Sequence, residues 1–162
     1  MYLDGVEREG DKPLATAEII TLDGRRTPIQ WTEEYLADVI WDDHGLLVVV
    51  QPRDQTALRA LRVDPATGDT ALDHERTDPV WVDIVPGVPA YTAEGAPITV
   101  ADVEGARRLV VGGVPVTPPS LQVRSVLDVD GETVLLRASE TPESVGLWTW
   151  SPDGLDSRTP AD

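Results

Sequence analysis

The chain has no cysteine, no phenylalanine and no asparagine, and it holds only two histidines and one methionine. Without cysteine there is no disulfide, no thiolate metal site and no cysteine nucleophile. The two histidines, His44 and His74, are too few for a typical catalytic zinc site unless carboxylates complete it. They read as a hairpin-turn residue and the end of an outer strand, and nothing in their spacing places either beside an activated serine. No Gly-x-Ser-x-Gly elbow exists; Ser120, Ser125, Ser139, Ser144, Ser151 and Ser157 fall in polar loops or strand ends. No phosphate-binding glycine loop or dinucleotide fingerprint follows a strand. Positive charge is scarce: 13 Lys and Arg stand against 29 Asp and Glu, a formal net charge of −16. Such a surface repels nucleic acid and anionic membranes, and its simplest consequence is solubility. No apolar run approaches the roughly 20 residues of a membrane span. Met1–Pro13 is too polar for a signal peptide, so a cytoplasmic location is expected. The chain itself is therefore expected to carry no catalytic residue, no metal and no cofactor.

What the chain does have is a repeat. Gly24, Gly68, Gly112 and Gly154 are spaced 44, 44 and 42 residues apart. Each follows an apolar strand-like run: Ala17–Leu22, Ala57–Val63, Arg107–Val111 and Val145–Trp150. Each precedes a shorter, more polar one: Arg25–Gln30, Asp69–His74, Val114–Thr117 and Leu155–Thr159. Glycine supplies a positive φ without steric cost, so it marks the same turn each time. Between these turns lie Asp42–Gly45, Thr92–Gly95 and Asp128–Gly131, which read as hairpins between a first and a second strand. A period of about 40–45 residues built from short strands marks the blades of a β-propeller.

The expected fold is therefore all-β. It is a partial propeller of about three four-stranded antiparallel blades plus two strands of a preceding blade. The blades fall at 35–78, 79–122 and 123–159, the partial one at 14–34, with 1–13 and 160–162 irregular. Helix should be nearly absent. Turn signals at this density also suit a β-sandwich. Runs such as Leu46-Leu47-Val48-Val49-Val50 fit inner strands buried on both faces. Five tryptophans, at 31, 41, 81, 148 and 150, supply most of the aromatic mass. Trp41 and Trp81 open successive units and are expected in the core between blades.

Three local features carry both a functional and a plainer reading. Thr32-Glu33-Glu34-Tyr35 pairs two carboxylates, which in a dry site would hold an ammonium group; the plainer reading is a solvated loop. Gln51-Pro52-Arg53-Asp54-Gln55 could line a polar channel, but Pro52 and the charges read more simply as a strand leaving the core. In Thr77-Asp78-Pro79-Val80-Trp81-Val82-Asp83 an Asp-Pro turn starts a blade, and Asp83 is a candidate to face the central funnel.

Residues 31–83 resemble the propeller of dipeptidyl peptidase IV-type serine peptidases of the prolyl oligopeptidase superfamily, in its bacterial branch. The resemblance rests on Trp31, then Tyr35-Leu36-x-Asp38-Val39-x-Trp41, then Gln51-x-Arg53-x-Gln55. It continues through Val63-Asp64-Pro65-Ala66-Thr67-Gly68, Thr77-Asp78-Pro79 and Trp81-Val82-Asp83. Residues 84–158 continue with compatible spacing but are less diagnostic, with Asp102-x-x-Gly105-Ala106-Arg107-Arg108 and the closing Trp148-x-Trp150.

The resemblance implies a larger parent enzyme, with an eight-bladed N-terminal propeller over a C-terminal α/β-hydrolase domain. That domain carries Ser, Asp and His and releases dipeptides; the propeller shapes access and supplies a Glu pair for the substrate amine. In the family that pair lies on a helical insertion well upstream of the Tyr-Leu-x-Asp-Val string. Glu33-Glu34 directly abuts Tyr35 and is not that pair. Some members also carry an aromatic and an arginine just after the Trp-Val step, where this chain has Asp83-Ile84-Val85. Trp81 and Asp83 are the substrate-side candidates. The implied partners are the hydrolase domain, peptides indirectly, and further copies of this chain through its open ends. A stand-alone β-repeat binding module and a segment of an acylaminoacyl or prolyl oligopeptidase relative remain open as alternatives.

Overall fold

The computed structural model describes residues 15–159; residues 1–13 and 160–162, expected to be irregular, and Leu14, expected to begin the partial blade, lie outside the described residues. The strands are β1 (Glu18–Ile20), β2 (Arg26–Pro28), β3 (Tyr35–Asp42), β4 (Gly45–Gln51), β5 (Ala57–Val63), β6 (Thr70–Thr77) and β7 (Ala90–Tyr91). They continue as β8 (Pro97–Val103), β9 (Ala106–Val111), β10 (Val114–Pro115), β11 (Gln122–Asp130), β12 (Thr133–Ser139), β13 (Gly146–Ser151) and β14 (Gly154–Ser157). They form one two-stranded sheet, β1-β2, and three four-stranded sheets, each antiparallel and ordered as in the sequence. The described residues contain no helix. The chain is a partial β-propeller, with sheets that follow one another and none closed on itself.

Gly24, Gly68, Gly112 and Gly154 stand in the turns that join β1 to β2, β5 to β6, β9 to β10 and β13 to β14. The hairpins at 42–45, 92–95 and around Gly131 join the first and second strands of the three full sheets. Some elements are shorter than expected. The first run holds only Glu18–Ile20 as strand. The run from Val114 closes at Pro115, and Thr117 instead turns its buried hydroxyl to accept the Leu109 N–H at 3.0 Å. Ser125 lies inside β11 and His74 inside β6, not at strand ends or in loops.

The chain divides into two compact units, Met1–Val82 and Asp83–Asp162. In the first, the β1-β2 hairpin packs Ile29 and Ile19 over Leu46, Val48 and Val50 of β4 and Leu61 and Val63 of β5. The Asp64–Gly68 turn docks against β2. Gln30 N–H donates to the Gly68 carbonyl at 2.9 Å, and Thr70 Oγ1 donates to the Gln30 carbonyl at 2.6 Å. At Gly68, with φ +80°, a Cβ would lie 1.9 Å from the Pro28 carbonyl oxygen, so only glycine fits.

The hairpin covers β4 but not the end of β3, and this corrects the expectation for Trp41. Trp41 is 68% exposed. With Val39, Ile20, Leu22 and Leu46 it lines an open hollow of about 660 Å³ beside the hairpin. Trp81, also expected in the core, is 53% exposed.

In the second unit the sheets β7–β10 and β11–β14 pack face to face. Ile98, Val100 and Leu109 meet Val123, Val126, Val134 and Leu136, with Trp148 and Trp150 closing the cluster. The hairpin turns of the two sheets are bonded directly: Ala93 N–H donates to the Gly131 carbonyl and Glu94 N–H to Glu132 Oε1, both at 3.0 Å. Burying Val, Ile and Leu at about 1.5–3 kcal/mol for each complete side chain is the main favourable contribution on this account.

Candidate functional site

Of the sequence candidates, Glu34 and Trp81 meet at the turn that follows β4. Gln51 ends that strand and is buried, and the chain leaves the core just after it, at half-buried Pro52 and exposed Arg53 and Asp54. Its amide does not go to solvent: Nε2 donates to the Val82 carbonyl at 3.1 Å. The chain then turns, with Gln55 N–H donating to the Pro52 carbonyl at 3.0 Å. Asp54 Oδ1 accepts the Thr56 N–H at 3.1 Å and the Thr56 hydroxyl at 2.9 Å, and these two bonds hold its carboxyl below the ordinary aspartate value. Gln55 takes φ 58°, a left-handed conformation unusual for a residue with a side chain.

The segment after β6 is tied to this turn at several points. Asp78 N–H donates to the Thr56 carbonyl at 3.0 Å. Asp78 Oδ1 accepts the Val80 N–H at 2.7 Å and the Trp81 N–H at 3.0 Å. The Trp81 bond, then the Val80 bond, lowers the Asp78 pKa by favouring the ionised carboxylate. Trp81 Nε1 donates to Gln55 Oε1 at 2.8 Å, and the Val82 N–H donates to the Gln55 carbonyl at 2.8 Å. Val82 itself is buried. The indole is thus anchored by its polar edge while its ring stays half exposed, which is the physical reason it is not core.

Asp83 opens the second unit. Its Oδ2 pairs with Arg107 Nη2 of β9 at 2.8 Å. Arg107 also reaches Asp102, at 4.0 Å, and its N–H donates to Gln122 Oε1 at 3.0 Å. Asp83 is therefore charge-compensated within its own unit.

The Glu33-Glu34 pair is split. Glu33 Oε1 pairs with Arg59 Nη1 at 3.0 Å, and Arg59 Nε pairs with Glu75 at 2.7 Å. Burial pushes the Glu33 carboxyl up. Hydrogen bonds from its own backbone N–H, the Arg59 guanidinium and Thr32 outweigh that, and the net shift is downward. Glu34 turns away to accept the Arg53 N–H at 3.2 Å. The two carboxylates thus serve separate partners and do not converge on a common cation. His44 lies in the β3–β4 turn and His74 in β6. Among the described residues no group of three or more His, Cys, Asp or Glu could hold a metal. What the arrangement offers chemically is recognition by contact: an indole face, the exposed Val80 beside it, and carboxylates held ionised by backbone donors.

Sequence reasoning missed three partners: Arg59 for Glu33, Val82 for Gln51 and the Trp81 indole for Gln55. The signal available was the Gln-x-Arg-x-Gln spacing, two amides flanking one turn. Its partners lie about thirty residues further on.

Successive four-stranded antiparallel sheets with glycine third-to-fourth-strand turns define a β-propeller segment. The profile of the dipeptidyl peptidase IV (DPP IV) N-terminal region matches residues 13–136, and the chain belongs to that family. Among solved structures it is similar to dipeptidyl peptidase 4 of Porphyromonas gingivalis, with TM-score 0.71 and 17% identity over 88% of this chain and 22% of that one. It is also similar to a Bacteroides ovatus chain described as a dipeptidyl aminopeptidase IV, with TM-score 0.65 and 14% identity over 86% of this chain and 25% of that one. At these identities the likeness is one of fold. No curated protein matches the chain. The chain spans about a quarter of the length of the two structures.

Proposed function

We propose that this chain forms part of the propeller wall of a serine-type dipeptidyl peptidase. There it supports a separate α/β-hydrolase domain and limits access to short peptides, with Trp81 and Asp83 on the substrate side. The observation that carries this reading is the family match over residues 13–136, coincident with the repeated four-stranded sheets. The exposed, anchored indole of Trp81 supports its placement, since rigid half-exposed aromatics make good contact anchors. The genomic reading frame tests the proposal. It is expected to carry a Gly-x-Ser-x-Gly elbow followed by Asp and His beyond this chain, and a Glu-Glu insertion before it. In the enzyme so encoded, Trp81→Ala should raise KM for dipeptide amides more than it lowers kcat. A frame without the elbow, or an unchanged KM, overturns the respective part.

The free chain should also self-associate. Ile20, Leu22, Val39 and Trp41 stand exposed around one hollow, and apolar patches of this kind find partners. The charge of −16 opposes contact but is screened beyond about 10 Å at ordinary salt. Light scattering should therefore show association rising with salt; a strict monomer at high protein and high salt overturns it.

A further inference from the structure

We infer that Gln55 is the positioning residue of the Trp81 indole, and that the left-handed backbone of Gln55 is tolerated for that purpose. Left-handed positions favour glycine, because a Cβ there is strained. A glycine would give the same turn without strain, but it would leave the exposed Trp81 indole N–H to water, with no protein acceptor to orient it. Gln55 is the residue in the turn that meets the adjoining segment at two points, through its side-chain oxygen and its backbone carbonyl. The second bond lands on buried Val82, whose own carbonyl is taken by Gln51. In dry surroundings an unmade bond costs more than a made one gains, so both backbone groups of Val82 are fixed. Asp78 accepts the backbone N–H of Trp81. With its backbone and its one polar side-chain atom held, the indole has a single place to be. A strained residue kept in place by surrounding contacts is the kind of outlier from which a positioning role is argued.

The functional meaning of this clamp rests on reading Trp81 as substrate-side; the clamp itself is tested without any peptide. The chain has five tryptophans, hence five indole N–H resonances, and Trp81→Phe identifies one of them. Gln55→Gly removes the acceptor while relieving the backbone, so folding is preserved. Gln55→Glu keeps an acceptor oxygen. Hydrogen exchange of the Trp81 indole N–H should be about ten-fold faster in Gln55→Gly, in line with the loss of one hydrogen bond. In Gln55→Glu it should stay within about two-fold of the parent, and the other four indoles should not change in either variant. Unchanged exchange at Trp81 in Gln55→Gly, or equal acceleration of all five indoles, overturns the inference. Failure here leaves the substrate-side reading standing, and an unchanged KM in Trp81→Ala leaves the clamp standing.

Discussion

β4 and β12 occupy the same place in their sheets, second of four, each hydrogen-bonded on both edges. Their burial differs. From Leu46 to Gln51 every residue of β4 is buried. In β12, Val134, Leu136 and Ala138 are buried, Leu135 is half-buried, and Thr133 and Arg137 are exposed. A continuous apolar run is what a strand needs when both faces are covered, and alternation is what it needs when water meets one. Arg137 breaks the run of β12 on the uncovered face. The pattern of a propeller strand therefore records how many of its faces are covered, and not only that it is a strand.

The largest expected effect tests this contrast. Leu47→Ala, at a fully buried site, should cost about 2–5 kcal/mol. Leu135→Ala should cost only about 1 kcal/mol, the share of a leucine half removed from water. Denaturant midpoints at equal m-values measure both. Equal losses would show that the second face of β12 is covered in solution.

The contrast returns at the turns, on a smaller scale. Gly24 and Gly68 have φ of +87° and +80° and stand at equivalent places, but a Cβ at Gly24 meets nothing within 4 Å. Gly24→Ala should therefore cost only the strain of a left-handed alanine, about 1–2 kcal/mol. Gly68→Ala adds the displacement of the Pro28 carbonyl, roughly 1–3 kcal/mol more. Equal melting temperatures for the two variants would mean that the β5–β6 turn does not dock on β2 in solution.

The glycine turns, the three hairpins and the continuous run of β4 were legible in the sequence because each depends on residues close together in the chain. A turn needs its own φ, and a strand shows its own alternation. The fates of Trp41, Trp81, Gln51 and Glu33 were not legible, because each depends on a partner far along the chain. Trp41 is exposed because the β1-β2 hairpin lies over β4 and not over the end of β3. Trp81 is exposed because Gln55 holds its N–H at the surface. Glu33 has the composition of a solvated loop, yet Arg59, 26 residues on, draws it in. The candidate site was thus readable as a set of segments, while the bonds that join them were not.

Within every sheet each strand pairs only with its immediate neighbour in sequence. The ends to be joined are then never far apart, and short loops lose little entropy on closing. Strand pairing of this kind can proceed between sequence neighbours, and local pairing favours quick folding. It also gives the gene a unit of change: a stretch of about 40 residues can be copied or deleted whole without forcing any surviving sheet to find a new register.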